Sequence, residues 1–342
     1  MKSYNKGFLV GLTWFMVWVL SPVNSQTKSV TYEGFTLPLM IGQSHPCSRV
    51  KNNRVNVVYF DDLGPMKQGD PQASGQVNGG DDPNAYQDLA LVLGLAKKHA
   101  GRINLLAVGS SNNDPNAHRL VQAIVRANER ETQVEVWHQS DMISKLMLLG
   151  QNCAGITAAN PLVVAIGGEH NKLTLALSRA NCSQGAGCFS HKVRATVLGG
   201  YNIRDIPDPR WGDAWYYEGN PLLMAADLEH YLGDSWLLFT DPEFRGAFLI
   251  ESGTIYTRSY LDQWYETHLQ RVLSGVRDHR NRDIATNPAY VNRLKSINHN
   301  SRLRIADFLT VATLIWPNRT VEQLTQKSFI LPQLEAALAT LQ

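Results

Sequence analysis

Read for spacing, the chain alternates between two hydrophobic periods over most of its first two thirds. Asn56-Val57-Val58-Tyr59-Phe60 is a β-branched and aromatic run that ends in Asp61-Asp62, the pattern of a buried strand. Residues 64–80 are rich in Gly, Gln, Asp, Pro and Ser, which predicts a loop. Asp81-Asp82-Pro83 then opens a helix. Tyr86, Leu89, Leu93 and Ala96 keep helical spacing, Lys97, Lys98 and His99 fill its last turn, and Gly101 stops it. The alternation continues with a strand over Ile103–Gly109, a helix over His118–Arg130, strands over Val134–Trp137 and Pro161–Ile166, a helix over Leu173–Ala180, and a strand over Val193–Leu198. From residue 222 the pattern turns helical, through 222–232, 258–276, 286–296 and 303–315. Strands alternating with helices predict an α/β fold: a mostly parallel open sheet flanked by helices on both faces, with ligands bound beyond the carboxyl ends of the strands. No internal repeat or linker divides the body, so residues 26–342 are expected to form a single domain, opening with a polar leader over 26–54.

The first 25 residues have a different character. Lys2 and Lys6 precede an apolar stretch from Phe8 to Leu20, followed by Ser21-Pro22-Val23-Asn24-Ser25. A charged start, a short apolar region and small residues before a cut at Ser25/Gln26 predict a signal peptide over 1–25, and a secreted or periplasmic protein. Export changes how the four cysteines are read. Cys182 and Cys188 bracket a short Gly-containing loop, which leaves Cys47 with Cys153, so two disulfides are expected. Close CxxC pairs are absent, which argues against a zinc site. Asn181-Cys182-Ser183 and Asn318-Arg319-Thr320 match the glycosylation pattern.

Charge narrows the partners. The formal net charge of the whole chain is +2, and Lys2 and Lys6 account for it, so the exported chain is neutral. A protein that grips nucleic acid needs a basic excess or stripe. No later stretch is long and apolar enough for a bilayer span. A small-molecule ligand is the remaining expectation.

The strand ends carry the candidate chemistry. Asp61-Asp62 close the first strand, Asp81-Asp82 open the following helix, and Asp88 lies within it. Carboxylates gathered on one corner repel unless a cation neutralises them, and Ca²⁺ takes such hard oxygen ligands. A neighbouring Asp could then deprotonate a water. The second strand ends Ser110-Ser111-Asn112-Asn113, with amides and hydroxyls suited to a sugar. The Pro161 strand ends Ile166-Gly167-Gly168-Glu169-His170-Asn171, and the Val193 strand ends Gly199-Gly200-Tyr201-Asn202. Glu218-Gly219-Asn220 follows an aromatic run of Trp211, Trp215, Tyr216 and Tyr217, and Ala306-Asp307 opens an apolar helix reaching Trp316-Pro317.

In this order the motifs resemble those of the inosine-uridine nucleoside hydrolase family, in a divergent secreted form. Gln87–Ala96 is similar to the family's helix of the type DDALALLLAL, and Ala107–Asn112 to its TVAGN strand end. Pro161–Leu177 is similar to its P-x-L-V-x-x-G-P-L-T-N segment, Leu198-Gly199-Gly200 to MGG, Glu218-Gly219-Asn220 to EFN, and Ala306–Pro317 to HDPLAVAYLIDP. The resemblance covers residues 55–317 and implies a Ca²⁺-dependent hydrolase of the N-glycosidic bond of ribonucleosides or related ribosylated small molecules. It implies Asp62 or Asp82 as the base, with Asp62, Asp82, Asp88, Asp307 and the backbone carbonyl of Ile166 as metal ligands. Asn112, Asn171, Asn202, Glu218 and Asn220 are the implied sugar-side positions, and homo-oligomerisation is a further implication.

The departures are specific. The family's aspartates are tightly spaced, whereas the 64–80 loop separates the two pairs here. Either Gln87-Asp88 or Asn84-Ala85 stands for the final Asp-Asp, so at least one carboxylate is lost. Ala306 replaces a histidine that many members use near the leaving base, and Gly219 replaces a bulky residue. The alternative is a non-catalytic nucleoside- or carbohydrate-binding protein on the same fold, with a degenerate metal site and the aromatic run as a stacking wall. GxSxG, HExxH, P-loop and GxGxxG motifs are absent, which removes serine hydrolase, zinc peptidase and nucleotidase readings.

Overall fold

In a computed structural model of the chain, the described residues are 29–32, 35–38, 46–64, 83–111, 114–128, 134–168, 171–180, 188–198, 236–239, 263–297, 307–320, 323–324 and 326–341. The chain divides into two units, Met1–Gln43 and Ser44–Gln342. In the first, β1 (Ser29–Tyr32) and β2 (Phe35–Pro38) pair antiparallel as a short hairpin, within the stretch read from sequence as a polar leader.

The second unit is built on a parallel sheet. Its strands are β3 (Val55–Asp61), β4 (Ile103–Ser110), β5 (Glu135–Trp137), β6 (Leu162–Ile166), β7 (Val193–Leu198) and β8 (Trp236–Phe239). Their spatial order is β5-β4-β3-β6-β7-β8, and every neighbouring pair is parallel. The chain builds outward from β3 through β4 to β5, then crosses back to β6 and builds the other way. That reversal makes the carboxyl ends of β3 and β6 the topological switch point, where the two crossovers diverge and leave a crevice.

The central strands β3, β4 and β6 read as nearly continuous apolar runs because both faces are covered. Val57 and Tyr59 of β3 join Val108 and Ala165 in a core beneath α1 (Pro83–Lys98), α2 (Ala117–Asn128) and the C-terminal helices. Those helices are α5 (a π-type turn, Tyr265–Leu269, running into Gln270–Val272), α6 (Pro288–Ile297), α7 (Leu309–Ile315) and α8 (Lys327–Ala339). The alternate β3 residues, Val58 and Phe60, are equally buried and face the other way. There Phe60 meets Trp137, with ring centroids 5.9 Å apart. Met142 of α3 (Met142–Met147) reaches the same region, its Cε lying against Gly109. α3 continues as a π-type turn, Leu148–Asn152, and packs on α4 (Asn171–Arg179).

One irregularity interrupts the ladder. β3 and β4 pair in phase up to Val57 with Leu105, then Val58 pairs with Ala107, so Leu106 is an extra residue in β4. Its carbonyl is taken up by Arg49, whose Nη2 donates to Leu106 O at 2.6 Å. The same guanidinium pairs with Glu135 of β5 at 3.0 Å, and Arg49 O accepts a hydrogen bond from Asn104 at 2.8 Å. Arg49 closes the short helical turn Pro46–Arg49, and Cys47 in that turn is disulfide-bonded to Cys153 at the end of the π-type turn. The pairing expected from sequence for these two cysteines is therefore present. Cys188 is also disulfide-bonded, and Cys182, its expected partner, lies outside the described residues.

The five sequence-predicted strands of this sheet fall within a residue or two of their expected bounds. β8, α3 and α8 were not anticipated. The predicted helix over 222–232 lies outside the described residues. No helix among the described residues is long and apolar enough to cross a membrane.

Candidate active site at the switch point

Parallel strands deliver their last residues to one edge, and β3 delivers Asp61 there. A strand places Tyr59 and Asp61 on one face, and the Tyr59 hydroxyl donates a hydrogen bond to Asp61 Oδ2. Asp61 Oδ1 accepts from the backbone N–H of Asp62 at 2.8 Å. Asp61 is 2 % exposed. Burial raises its pKa above the ordinary carboxylate value, and the hydrogen bonds from Tyr59 and Asp62 oppose that rise.

Two further buried aspartates, from distant segments, lie near enough for their charges to act on the same phenol. Asp88 lies in the second turn of α1, fully buried, and its Oδ1 accepts the backbone N–H of Phe308 at 3.1 Å. That bond ties the start of α1 to the turn preceding α7, 220 positions along the chain. Asp307 occupies that turn and is 2 % exposed. Its carbonyl accepts from the Thr310 hydroxyl at 2.5 Å and the Thr310 backbone N–H at 3.2 Å. Thr310 O in turn accepts from Thr196 of β7 at 2.8 Å, which fastens α7 to the sheet. Burial pushes the Tyr59 phenol well above its ordinary range, and the charges of Asp61, Asp307 and Asp88 push it further. Tyr59 therefore keeps its proton and donates it to Asp61 in a hydrogen bond.

The β6 end completes the wall. Ile166 is its last residue and is buried, paired in register with Phe60. Gly167 N–H donates to Phe60 O at 2.8 Å. A Cβ at Gly167 would fall 2.5 Å from Asp307 Cβ, and one at Gly168 would fall 2.7 Å from Asp62 N and 2.8 Å from Ser111 Oγ. Both glycines are required by close approach rather than by a turn. On the β4 side, Ser111 donates through N–H (2.7 Å) and Oγ (3.2 Å) to Asp61 O, and Ser110 Oγ donates to Leu63 O at 2.6 Å. Tyr86 of α1 donates to Gly64 O at 2.7 Å. The segment leaving β3 is thus pinned by three neighbours. Asp62 sits at its rim, half-buried.

Of the residues singled out by sequence, the structure brings Asp88, Asp307, Ile166 and Asp62 to one end of the sheet. Asn171 opens α4. Asp82, Asn112, Asn202, Glu218 and Asn220 lie outside the described residues, as do His170 and the aromatic run 211–217. Sequence reasoning counted Asp61 among the strand-end carboxylates but gave it no role, and it missed Tyr59. Tyr59 sits two residues before Asp61, so strand alternation was the available signal for pairing them.

The donors have the chemistry a hard cation takes, since carboxylate oxygens dominate. Among the described residues no three His, Cys, Asp or Glu side chains stand closely enough to hold a metal by themselves. Asp81 and Asp82 lie beyond that set. Beside Asp88, Gln87 is fully buried, and among the described residues neither its Oε1 nor its Nε2 has a hydrogen-bond partner. An unsatisfied buried polar group costs about 1–3 kcal/mol, so this end of α1 leaves room in its polar accounting for a further group.

No protein-family model matches the chain, and no curated protein matches it.

Proposed function

We propose that the chain is a secreted hydrolase of the N-glycosidic bond of ribonucleosides or related ribosylated small molecules, a divergent relative of the inosine-uridine nucleoside hydrolases. One observation carries the proposal: buried aspartates from three separate segments gather at the switch point of a parallel sheet, Asp61 closing β3, Asp307 lying against Gly167 at the β6 end, and Asp88 accepting the N–H of Phe308 beside it. Two of them, Asp88 and Asp307, are positions that the motif resemblance assigns to a metal. The disulfide between Cys47 and Cys153 supports an oxidising compartment and hence export.

In this reading Asp62, at the half-buried rim, takes a proton from water as its oxygen bonds to the anomeric carbon and the carbon–nitrogen bond to the base breaks, the departing base taking up a proton from solvent and Asp62 later returning its own. Asp88 and Asp307, with Asp62, Asp82 and the Ile166 carbonyl, would hold Ca²⁺, whose charge favours deprotonation of a nearby water. Gly167 and Gly168 let the β6 end lie flush against Asp307 and Asp62, which excludes bulk water from behind the carboxylates. Asn112, Asn171, Asn202, Glu218 and Asn220 are the proposed sugar contacts.

A second reading has a specific observation in its favour. Asp61 and Asp88 already accept hydrogen bonds from protein donors, as a closed, non-catalytic site would. The chain would then bind a nucleoside or carbohydrate without cleaving it. Calorimetric titration of chelator-treated mature protein with Ca²⁺, paired with a ribose-release assay on a nucleoside panel, separates the two. The hydrolase reading expects both signals, and expects Asp307→Ala to lose ribose release and weaken Ca²⁺ binding at least about tenfold with the fold intact. Full activity in Asp307→Ala would refute the assignment.

A further inference from the structure

We propose that Tyr59 and Asp61 form a positioning pair behind Asp62, Tyr59 holding the Asp61 carboxylate and that carboxylate holding the Asp62 backbone. The proposal rests on the hydrolase reading above for the role of Asp62. Its basis is a chain of hydrogen bonds running from the core to the rim. The Tyr59 hydroxyl occupies Asp61 Oδ2, and Asp61 Oδ1 accepts the Asp62 N–H at 2.8 Å. Both oxygens of one carboxylate are thereby engaged, which fixes its rotamer. The Asp61 carbonyl is held from β4 by Ser111 N–H at 2.7 Å, and Gly168 of the β6 end packs against Asp62 N. Asp62 therefore leaves β3 along a path set from three strands.

Burial divides the roles. Tyr59 is 0 % exposed and Asp61 2 %, so substrate reaches neither, whereas Asp62 is half-buried. A phenylalanine would fill the core position of Tyr59 equally well. What the phenylalanine would lack is the hydroxyl, whose hydrogen bond goes to Asp61 Oδ2. The arrangement follows the logic by which a base is itself oriented by a third, buried group. Removing such supporting partners characteristically costs about 10–100-fold in activity or metal affinity.

The test compares Tyr59→Phe with the wild-type chain in three readouts: thermal melting, Ca²⁺ calorimetry, and kcat and KM for ribose release from the nucleosides that the wild type cleaves. The expected result is a melting temperature within a few degrees, KM within about twofold, and kcat or Ca²⁺ affinity lower by about 10–100-fold. Should Tyr59→Phe fail to fold, Asp61→Asn, which keeps the shape, is expected to show the same split. Wild-type kcat and Ca²⁺ affinity in a folded Tyr59→Phe overturn the pairing and leave the hydrolase reading standing. If the wild type binds Ca²⁺ but cleaves no nucleoside, the hydrolase reading falls and the calorimetric arm decides alone: unchanged affinity in the variant overturns the pairing, weakened affinity supports it. A wild type that neither binds nor cleaves overturns both.

Discussion

The bridge between Cys47 and Cys153 closes a ring of sequence separation 106, and β3, α1, β4, α2, β5 and α3 all lie inside it. Cross-linking a chain removes loop-closure entropy from the denatured ensemble, and a loop of about 100 residues corresponds to about 4.7 kcal/mol at 25 °C. For a chain of this size each kcal/mol moves the melting temperature by about 1.5 °C, so the Cys47→Ala/Cys153→Ala variant should melt about 7 °C lower. Reduction of the wild type is a less clean perturbation, because Cys188 is also disulfide-bonded. The double substitution isolates the one bridge, and calorimetric melting under oxidising conditions reads its effect directly. Denaturant titration adds an independent signature. A denatured state released from a large ring exposes more surface, so the denaturant slope should rise as the midpoint falls. A variant that melts within about 2 °C of wild type with an unchanged slope would show that the ring is already constrained without the bridge, and would refute the entropy argument.

The remaining predictions are local. Gly167→Ala places a methyl 2.5 Å from Asp307 Cβ, so it should lower stability by about 1–3 kcal/mol and weaken Ca²⁺ binding by displacing Asp307; a melt and a titration indistinguishable from wild type would remove the close approach from the argument. Asp278, whose side chain is fully buried, accepts the backbone N–H groups of Arg280 and Arg282 at 2.9 Å each, the Arg282 guanidinium at 2.6 and 2.7 Å, and the Tyr290 hydroxyl at 3.0 Å. Burial alone would raise its pKa, but these bonds outweigh it and the net value is lowered. A carboxylate depressed in the folded state contributes stability above its unfolded pKa of about 3.9, and that contribution disappears as pH falls through the lower folded value. Asp278→Asn should therefore cost about 3 kcal/mol near neutral pH, and the difference from wild type should shrink below about pH 4. Urea unfolding at pH 7 and pH 3 checks the sign, and a gap that widens in acid would contradict it.

Several features were legible in the residues because a single period or stop signal carried them. β3, β4 and β6 are nearly continuous apolar runs bounded by polar turns, and α1 has Asp82-Pro83 at one end and Gly101 beyond the other. α8 lacked that legibility. Ile330, Leu331, Leu334, Ala337 and Leu338 are buried along one face of it, but Phe329, Ala336 and Ala339 are apolar off that face, and Pro332 lies inside it. Apolar residues off the buried face blur the contrast by which a surface helix is recognised. α3 and its π-type turn were hidden because Leu146 to Leu149 form an unbroken apolar run without helical contrast. At the site, the carboxylates could be named from motif order, but the choice between Asp61 and Asp62 depended on which one β3 points inward. Strand parity at a strand's end is set by tertiary contacts as well as by the run itself.

Parity also gives the extra residue in β4 a meaning beyond local shape. Below Leu106 the strand runs in phase with β3 through Val57 and Leu105, and above it Ser110 stands opposite Asp61. Were β4 to pair with β3 without the bulge, Gly109 would stand opposite Asp61 and Val108 would take the place opposite Phe60 that Gly109 now holds, where a Cβ would meet Met142 Cε at 2.4 Å and Trp137 O at 3.1 Å. The bulge thus works as a phase adjuster between two halves of one strand. The lower half is free to obey the demands of the core, and the upper half presents its serines to Asp61 and Leu63 on a count of its own.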